Sequence, residues 1–414
     1  MRIDSLDWIV TPGRRVRSVD SLHSPASRQR RHPLGAALAL QLLDTDPYGS
    51  LAQMRAAEPV SWVPVLDGWL VTRRDLCIDV MRDAELFTVD DPRFSTAQVV
   101  GPSMLSLDGA EHRRHRDPFA DAFRKPEVMR RFADQVELEA RQLVTTLAPT
   151  GSAEIRRNLA GPLAVKVVAN ALDLLDVEPG VVLAWYDEIV AAVDRVSAGG
   201  EVGPGARAAV ETLDAHLTRS MRRGTGALAQ ATETLSPSEV ASNAAVMMFG
   251  GIETSEGMTT TLFWHLLTNP GQLAALRADR SLLANAVEES LRLEPAAARV
   301  DRYATADTEL GSAWIARGDL VIVSLTAANR DPATFADPDV FDITRPNARV
   351  HLAFAQGPHA CVGLHLARLE SQSALATALD GWPGMGIVAG STPPSGVVFR
   401  KPRSLRVRWN LPPA

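Results

Sequence analysis

Cysteine is scarce in this 414-residue chain, which has only Cys77 and Cys361. Two cysteines exclude a disulfide framework, and a reduced, cytoplasmic setting is the expectation. Lysine is almost as rare: Lys125, Lys166 and Lys401 are the whole set, so nearly all 43 basic residues are arginine, which we read as coding bias rather than function. No apolar run reaches the roughly 18 residues that a membrane helix needs. Met1 to Val10 lacks the basic stretch followed by an apolar core that marks a secretory leader. A net charge of −6 leaves no nucleic-acid footprint. The remaining composition, 46% hydrophobic and 22% charged, is that of an ordinary globular protein with a large core.

Residues 1–41 carry Arg14, Arg15, Arg17, Arg28, Arg30 and Arg31 among serine and proline. That composition suits a solvated, poorly ordered arm, so the folded body is expected over residues 42–414, as one domain without internal repeat or linker. Val60 to Thr72 reads as two short strands joined at Asp67-Gly68, followed by a helix capped at Asp75 and running to about Arg82. Helical patterns then dominate to Pro295, with a loop at Gly199-Gly200 and Gly203-Pro204-Gly205. Short strands follow Tyr303, notably from Leu320 to Leu325, and helix returns after Gly363. The reading is mainly α with small β-sheets, an α+β fold.

Ser236-Pro237-Ser238-Glu239 is a marked helix start: an N-cap hydroxyl, proline at the first helical position and glutamate at the third. No obligatory breaker precedes Asn269-Pro270, so about 32 residues spanning ~48 Å are predicted. Mid-helix stand Gly250-Gly251-Ile252-Glu253-Thr254-Ser255. Two interior glycines cost about 1 kcal/mol each relative to alanine and leave room for something bulky against the backbone. Thr254 can bond back to the carbonyl of Gly250 and open the helix, and Glu253 adds a carboxylate able to carry protons. The plainer alternative is a close helix–helix contact with an exposed glutamate.

The second cluster runs Phe354-Ala355-Gln356-Gly357-Pro358-His359-Ala360-Cys361-Val362-Gly363, then Leu366-Ala367-Arg368. Gly357-Pro358 makes a turn, and a helix begins near Val362 or Gly363. Cys361 then lies at a helix N-terminus, where free N–H groups favour a thiolate able to bind iron. A buried, inert cysteine is the commoner fate, which the flanking glycines and His359 argue against.

The pattern F-x-x-G-x-H-x-C-x-G-x-x-L-A-R resembles the haem-ligand loop of the cytochrome P450 family. Gly250 to Ser255 resembles that family's oxygen-activation motif, Glu289-Ser290-Leu291-Arg292 its E-x-x-R motif, and Asp108 to Arg116 the helix that binds haem propionates. Asn329-Arg330-Asp331-Pro332 and Phe341-Asp342 fit the bacterial branch. The motifs fall in family order and cover about Pro47 to Arg406.

The resemblance implies a triangular helical body with haem b (iron protoporphyrin IX) between the long central helix and the cysteine-loop helix. It makes Cys361 the axial thiolate on iron, with Gly363 beside it, and assigns His112, Arg116, Arg302 and His359 to the propionates. Gly250, Gly251, Glu253 and Thr254 become the catalytic set: glycines beside the oxygen pocket, Thr254 steering protons with ordered water, Glu253 replenishing them. Glu289 and Arg292 form a structural pair whose third partner is open, since Val340 holds one plausible position and Arg345 lies nearby. Ala355 departs from the family's usual glycine.

The implied activity is a monooxygenase that oxidises, most simply by hydroxylation, a hydrophobic small molecule of bacterial secondary metabolism with O2. No G-x-G-x-x-G follows a strand and no second cysteine cluster exists. Electrons are therefore expected from a separate ferredoxin and ferredoxin reductase, received by a monomer. Arg113, Arg114, His115, Arg124, Lys125 and Arg368 could form a basic patch for such a partner. By resemblance the substrate pocket is lined by Thr88 to Leu107, the helices flanking Gly199, Val246, Phe249, Ala297 to Val300 and Val397 to Phe399. Arg299 is left between anchoring an acid and contacting haem. Rival readings are a non-catalytic haem-thiolate sensor or carrier, an atypical oxidation such as epoxidation or ring coupling, and zinc held by His359, Cys361 and His112 or His351.

Overall fold

The computed structural model describes residues 9–11, 14–16, 24–174, 177–197, 200–222 and 227–411. It is mainly helical with small sheets, as expected. Gly199 of the expected loop lies outside the described residues, and Pro179–Ser197 and Pro204–Arg222 are the helices on either side. None of the helices searched is long and apolar enough to cross a membrane.

The arm expected over residues 1–41 needs correction from Ser24 onward. Ser24 caps a helix at Pro25–Arg31, and Pro33–Ala36 and Leu40–Thr45 follow. Arg28 is buried there, forked onto Asp319 at 2.8–3.1 Å and lying 4.4 Å over the Trp62 ring. Trp69 Nε1 donates to the same carboxylate at 2.9 Å. Charge-rich composition predicts solvation only when charges lack partners, and Arg28 has its partner 291 positions away. Residues 1–8, 12–13 and 17–23 of the expected arm lie outside the described residues.

The strands at Val60–Val63 and Gly68–Val71 pair antiparallel, Trp62 opposite Trp69, and Asp67 takes φ +46° in the turn. They begin a five-stranded sheet continued by Leu320–Ser324, Arg299–Ala304 and Phe87–Thr88. Leu320–Ser324 runs parallel to Gly68–Val71, and every other pairing is antiparallel. Sheet alternation puts Trp69, Val71, Val321 and Val323 in one core and Leu70 and Ile322 in another, with Leu43 and Leu51 of the N-terminal helices.

The central helix spans Pro237–Thr268, 32 residues as predicted. Its capping box is complete: Ser236 Oγ accepts the Glu239 N–H at 3.4 Å, and Glu239 Oε2 accepts that of Ser236 at 2.8 Å. Apolar around most of its circumference, it is buried along most of its length, as such helices must be. Gly161–Ala171 packs beside it, and the helix after the cysteine, Leu364–Gly381, lies between it and Lys125–Leu147. Stacked Trp382 and Trp409, 4.3 Å apart, close that end of the core.

Candidate active site

The loop before Cys361 is fixed by its backbone. Cys361 N–H donates to Phe354 O at 2.9 Å and Ala360 N–H to Gly357 O at 3.1 Å. Gly357 sits at φ +76°, and a methyl group there would stand 2.3 Å from the Met81 carbonyl, so only glycine fits. Ala355 also takes a positive φ, +55°. That explains why glycine is usual at this position: the constraint is backbone conformation more than packing. Left-handed φ costs a non-glycine residue about 1–2 kcal/mol, and the greater unfolded-state entropy of glycine returns roughly half. Ala355→Gly is expected to raise stability by about 0.5–1 kcal/mol, read from the urea midpoint. A loss of stability would show that the alanine methyl carries packing.

The helix begins at Leu364, one residue beyond the sequence reading, with Gly363 as its N-cap. Cys361 is half-buried. Burial pushes its thiol up, opposed by the Gly363 N–H and by the charges of Arg116 and Arg368. The helix-terminus effect therefore exists but loses to desolvation, and the thiolate is a form that a metal's charge must draw out. Cys77 has the commoner fate: it is fully buried and donates to Val71 O at 3.4 Å.

Basic side chains from separate elements lie beside this loop. His112 and Arg116 stand one turn apart on the helix Gly109–Ala120. His112 is buried with Nε2 bonded to nothing, and burial, then the charges of His359 and Arg116, pushes it down to about 4. Arg116 donates to Ala360 O at 2.5 Å. Arg302, also buried, donates to Asp301 O at 2.8 Å and forms no ion pair among the described residues. The His359 ring lies 4.3 Å from that of His112, but its Nε2 is committed to Asp108 at 2.7 Å, leaving Nδ1. Burial alone would raise Asp108; bonds from His359, Thr88 and the Val89 N–H hold it well below the carboxylate range. An orphaned imidazole nitrogen near the cysteine loop and a buried guanidinium with no ion pair among the described residues fit a dianionic, iron-bearing cofactor.

On the central helix the two glycines separate. A methyl on Gly250 would meet nothing within 4 Å, so it borders open space. One on Gly251 would strike Val168 Cγ2 at 2.6 Å. Gly251, expected in the catalytic set, is instead a helix–helix contact, because it points at the neighbouring helix Gly161–Ala171. Thr254 Oγ1 donates to Gly250 O at 2.6 Å, the back-bond its spacing allowed. Glu253 is buried rather than exposed, ion-paired to Lys401 Nζ at 2.7 Å and hydrogen-bonded by the Tyr186 hydroxyl.

Known proteins resemble this chain along most of its length. A family model described as cytochrome P450 matches residues 207–381. Nocardicin C N-oxygenase of Nocardia uniformis subsp. tsuyamanensis is 31% identical over 402 residues, covering 92% of this chain and 98% of that protein. The chain belongs to the cytochrome P450 family. 6-Deoxyerythronolide B hydroxylase of Saccharopolyspora erythraea is likewise 31% identical, over 89% of this P450 and 95% of its own length. Among solved structures, P450BioI in complex with an acyl carrier protein ligated to hexadec-9Z-enoic acid superposes at TM-score 0.82. It is 26% identical and covers 90% of this chain and 100% of that one.

In this P450 the E-x-x-R pair is fully buried. Glu289 receives Arg292 at 2.7 and 2.8 Å, and Arg345 Nε supplies the third partner, 3.1 Å from each carboxylate oxygen. The position left open is thus Arg345; Val340 contributes its carbonyl to both arginines. Of the zinc reading's histidines only His112, with Nε2 bonded to nothing, stands outside an ion pair, since His351 is tied to Glu288 at 3.0 Å and His359 to Asp108, and no group of three or more His, Cys, Asp or Glu among the described residues could hold a metal ion.

The basic patch is thinner than its sequence suggests. Arg114 binds Glu239 and Glu111, Arg124 binds Asp121, Arg368 binds Glu288, and His115 is buried against Asn243. Arg113 and Lys125 remain exposed. Sequence reasoning missed Tyr186, Lys401 and Glu370. Lys401 also reaches Glu256 at 2.5 Å, and Glu370, buried beside Ser255, is pushed well above the usual range. The rarity of lysine was the one available signal for Lys401, and it names no role.

Proposed function

We propose that this P450 monooxygenase hydroxylates a hydrophobic small molecule of bacterial secondary metabolism. It uses O2 and electrons passed from a reductase through a separate ferredoxin, with haem b as the cofactor. The relatives named above, nocardicin C N-oxygenase and 6-deoxyerythronolide B hydroxylase, support the substrate class. Arg113 and Lys125 offer an acidic donor protein the exposed cations it would meet.

Bound haem with a sulfur ligand supplies the redox chemistry that favours O–O cleavage. The chain's residues do the rest. Cys361 would hold the iron, with the Gly363 N–H sharing the charge on sulfur. His112 Nε2, Arg116 and Arg302 would hold the propionates, and Asp108 keeps His359 oriented beside them. Gly250 keeps the space above the helix clear. Thr254 donates its hydroxyl hydrogen bond to the Gly250 carbonyl, which leaves its oxygen lone pairs free to accept from water. Glu253 can reach that water only by leaving Lys401 and Tyr186.

The observation that carries catalysis over sensing or carriage is the Thr254–Gly250 bond next to a buried, ion-paired Glu253, since holding haem requires neither. Thr254→Ala is expected to leave haem content unchanged and to divert electrons from product to hydrogen peroxide. Product per NADPH should fall about tenfold, less than the roughly 100-fold or more of a general acid or base itself, because Thr254 positions the water that carries the proton. Coupling measured with a surrogate ferredoxin and reductase decides it: unchanged coupling removes Thr254 from the relay, and no product from the wild type on any substrate favours the sensor.

A further inference from the structure

Arg299 begins the strand that carries Arg302, yet the two face opposite ways. Asp301 stands opposite Ile322 and Arg299 opposite Ser324, and directly opposed residues share a face of the sheet. Arg299 therefore lies on the Leu70–Ile322 side, with Arg302 on the other. Contact with the haem propionates is thereby assigned to Arg302 alone of these two.

On its own side Arg299 borders a cavity of about 30 Å³ whose other walls include Leu43, Pro47, Leu66, Leu70 and Val397. Its Nε and Nη1 are buried and donate to nothing. Asp301 lies 3.5 Å from Nε without forming a hydrogen bond, so part of the charge is balanced and the donors stay free. Arg400, in the same wall, is the opposite case. It is bound to Glu294 at 2.8 Å and to the carbonyls of Leu43, Asp44 and Gly396. A half-buried guanidinium with two buried, idle N–H groups costs free energy unless an acceptor fills the space beside them.

Two observations say what that acceptor belongs to. The lining is mostly apolar, with Ser324 and Thr326 among it, and Leu42, Val65 and Val398, chain neighbours of the wall residues Leu43, Leu66 and Val397, are exposed apolar side chains. The segment that walls the cavity at Val397 also continues toward the central helix. Ala298 N–H donates to Val398 O at 2.8 Å, Ala297 pairs with Phe399, and the Phe399 ring meets Phe249 at 5.6 Å, one residue before Gly250.

We propose that Arg299 is a specificity-determining residue that anchors the carboxylate of an amphipathic acid, whose apolar body runs along the Val397–Phe399 tip toward Gly250. This rests on the monooxygenase reading and narrows its substrate class from hydrophobic molecules to hydrophobic acids.

The test compares dodecanoic acid with methyl dodecanoate on the haem-loaded protein. Both are followed by the Soret shift and, independently of haem, by equilibrium dialysis. Wild type should bind the acid about tenfold or more tightly than the ester, the scale of a charge-assisted bond. Arg299→Gln should erase the preference by weakening the acid alone, and Arg299→Lys should keep part of it. An intact thiolate-type Soret band in each variant shows that the cofactor site survives, so its absence would fail the enzyme reading and not this one. Equal affinity for acid and ester in the wild type, including no binding of either, or an acid preference that persists in Arg299→Gln, overturns the anchor and leaves water as the occupant of the cavity.

Discussion

Glu289→Gln is expected to cost about 3–5 kcal/mol, the penalty for breaking a buried ion pair by removing one partner. One carboxylate here serves two guanidinium groups, with Glu289 and Arg292 wholly inaccessible and Arg345 nearly so. Backbone carbonyls of Asn329, Pro338, Val340, Ala336 and Asp337 satisfy the remaining donors. Glutamine preserves the shape and one acceptor but leaves two positive charges without a counter-charge. The Asp342 N–H, which Glu289 Oε1 accepts at 3.0 Å, loses a charged acceptor as well. Against a total stability of roughly 5–15 kcal/mol, the loss is large enough to lower the yield of folded protein. Urea titration followed by circular dichroism measures it. A change under about 1 kcal/mol would put the triad with surface pairs and contradict its structural role.

The network also shows where sequence reading stops. Glu289 and Arg292 are three apart on one helix, so their pairing is local and legible. Arg345 comes from a loop 56 positions away, and only the fold decides between it and Val340. The central helix was legible for the same local reason: its start is written in the side chains of Ser236, Pro237 and Glu239, and the Thr254 back-bond is a four-residue interaction. What lies behind a glycine is not local. Gly250 and Gly251 look alike in sequence, and the presence of Val168 behind one of them separates a pocket wall from a packing contact. Arg28 gave the opposite error, because a charge counted as solvated found Asp319 and two tryptophans across the sheet. The Glu253 tether went unread for want of the same information, since Tyr186 and Lys401 reach it from 67 positions before and 148 after.

Ligation by sulfur carries the whole account, and Cys361→Ser is its sharpest test. Serine fills almost the same volume, so the loop fixed by Gly357 and the Cys361 N–H bond should persist and folding should be little changed. A hydroxyl is far less acidic than a thiol and does not supply the soft, electron-rich ligand that sulfur does. The deciding measurement is the absorption spectrum of the reduced carbon monoxide complex of haem-loaded protein. Wild type and Cys77→Ser are predicted to show the strongly red-shifted Soret band of thiolate ligation, and Cys361→Ser to lack it. A haem-loaded wild type without that band, or a serine variant that retains it, would contradict the placement of iron on Cys361.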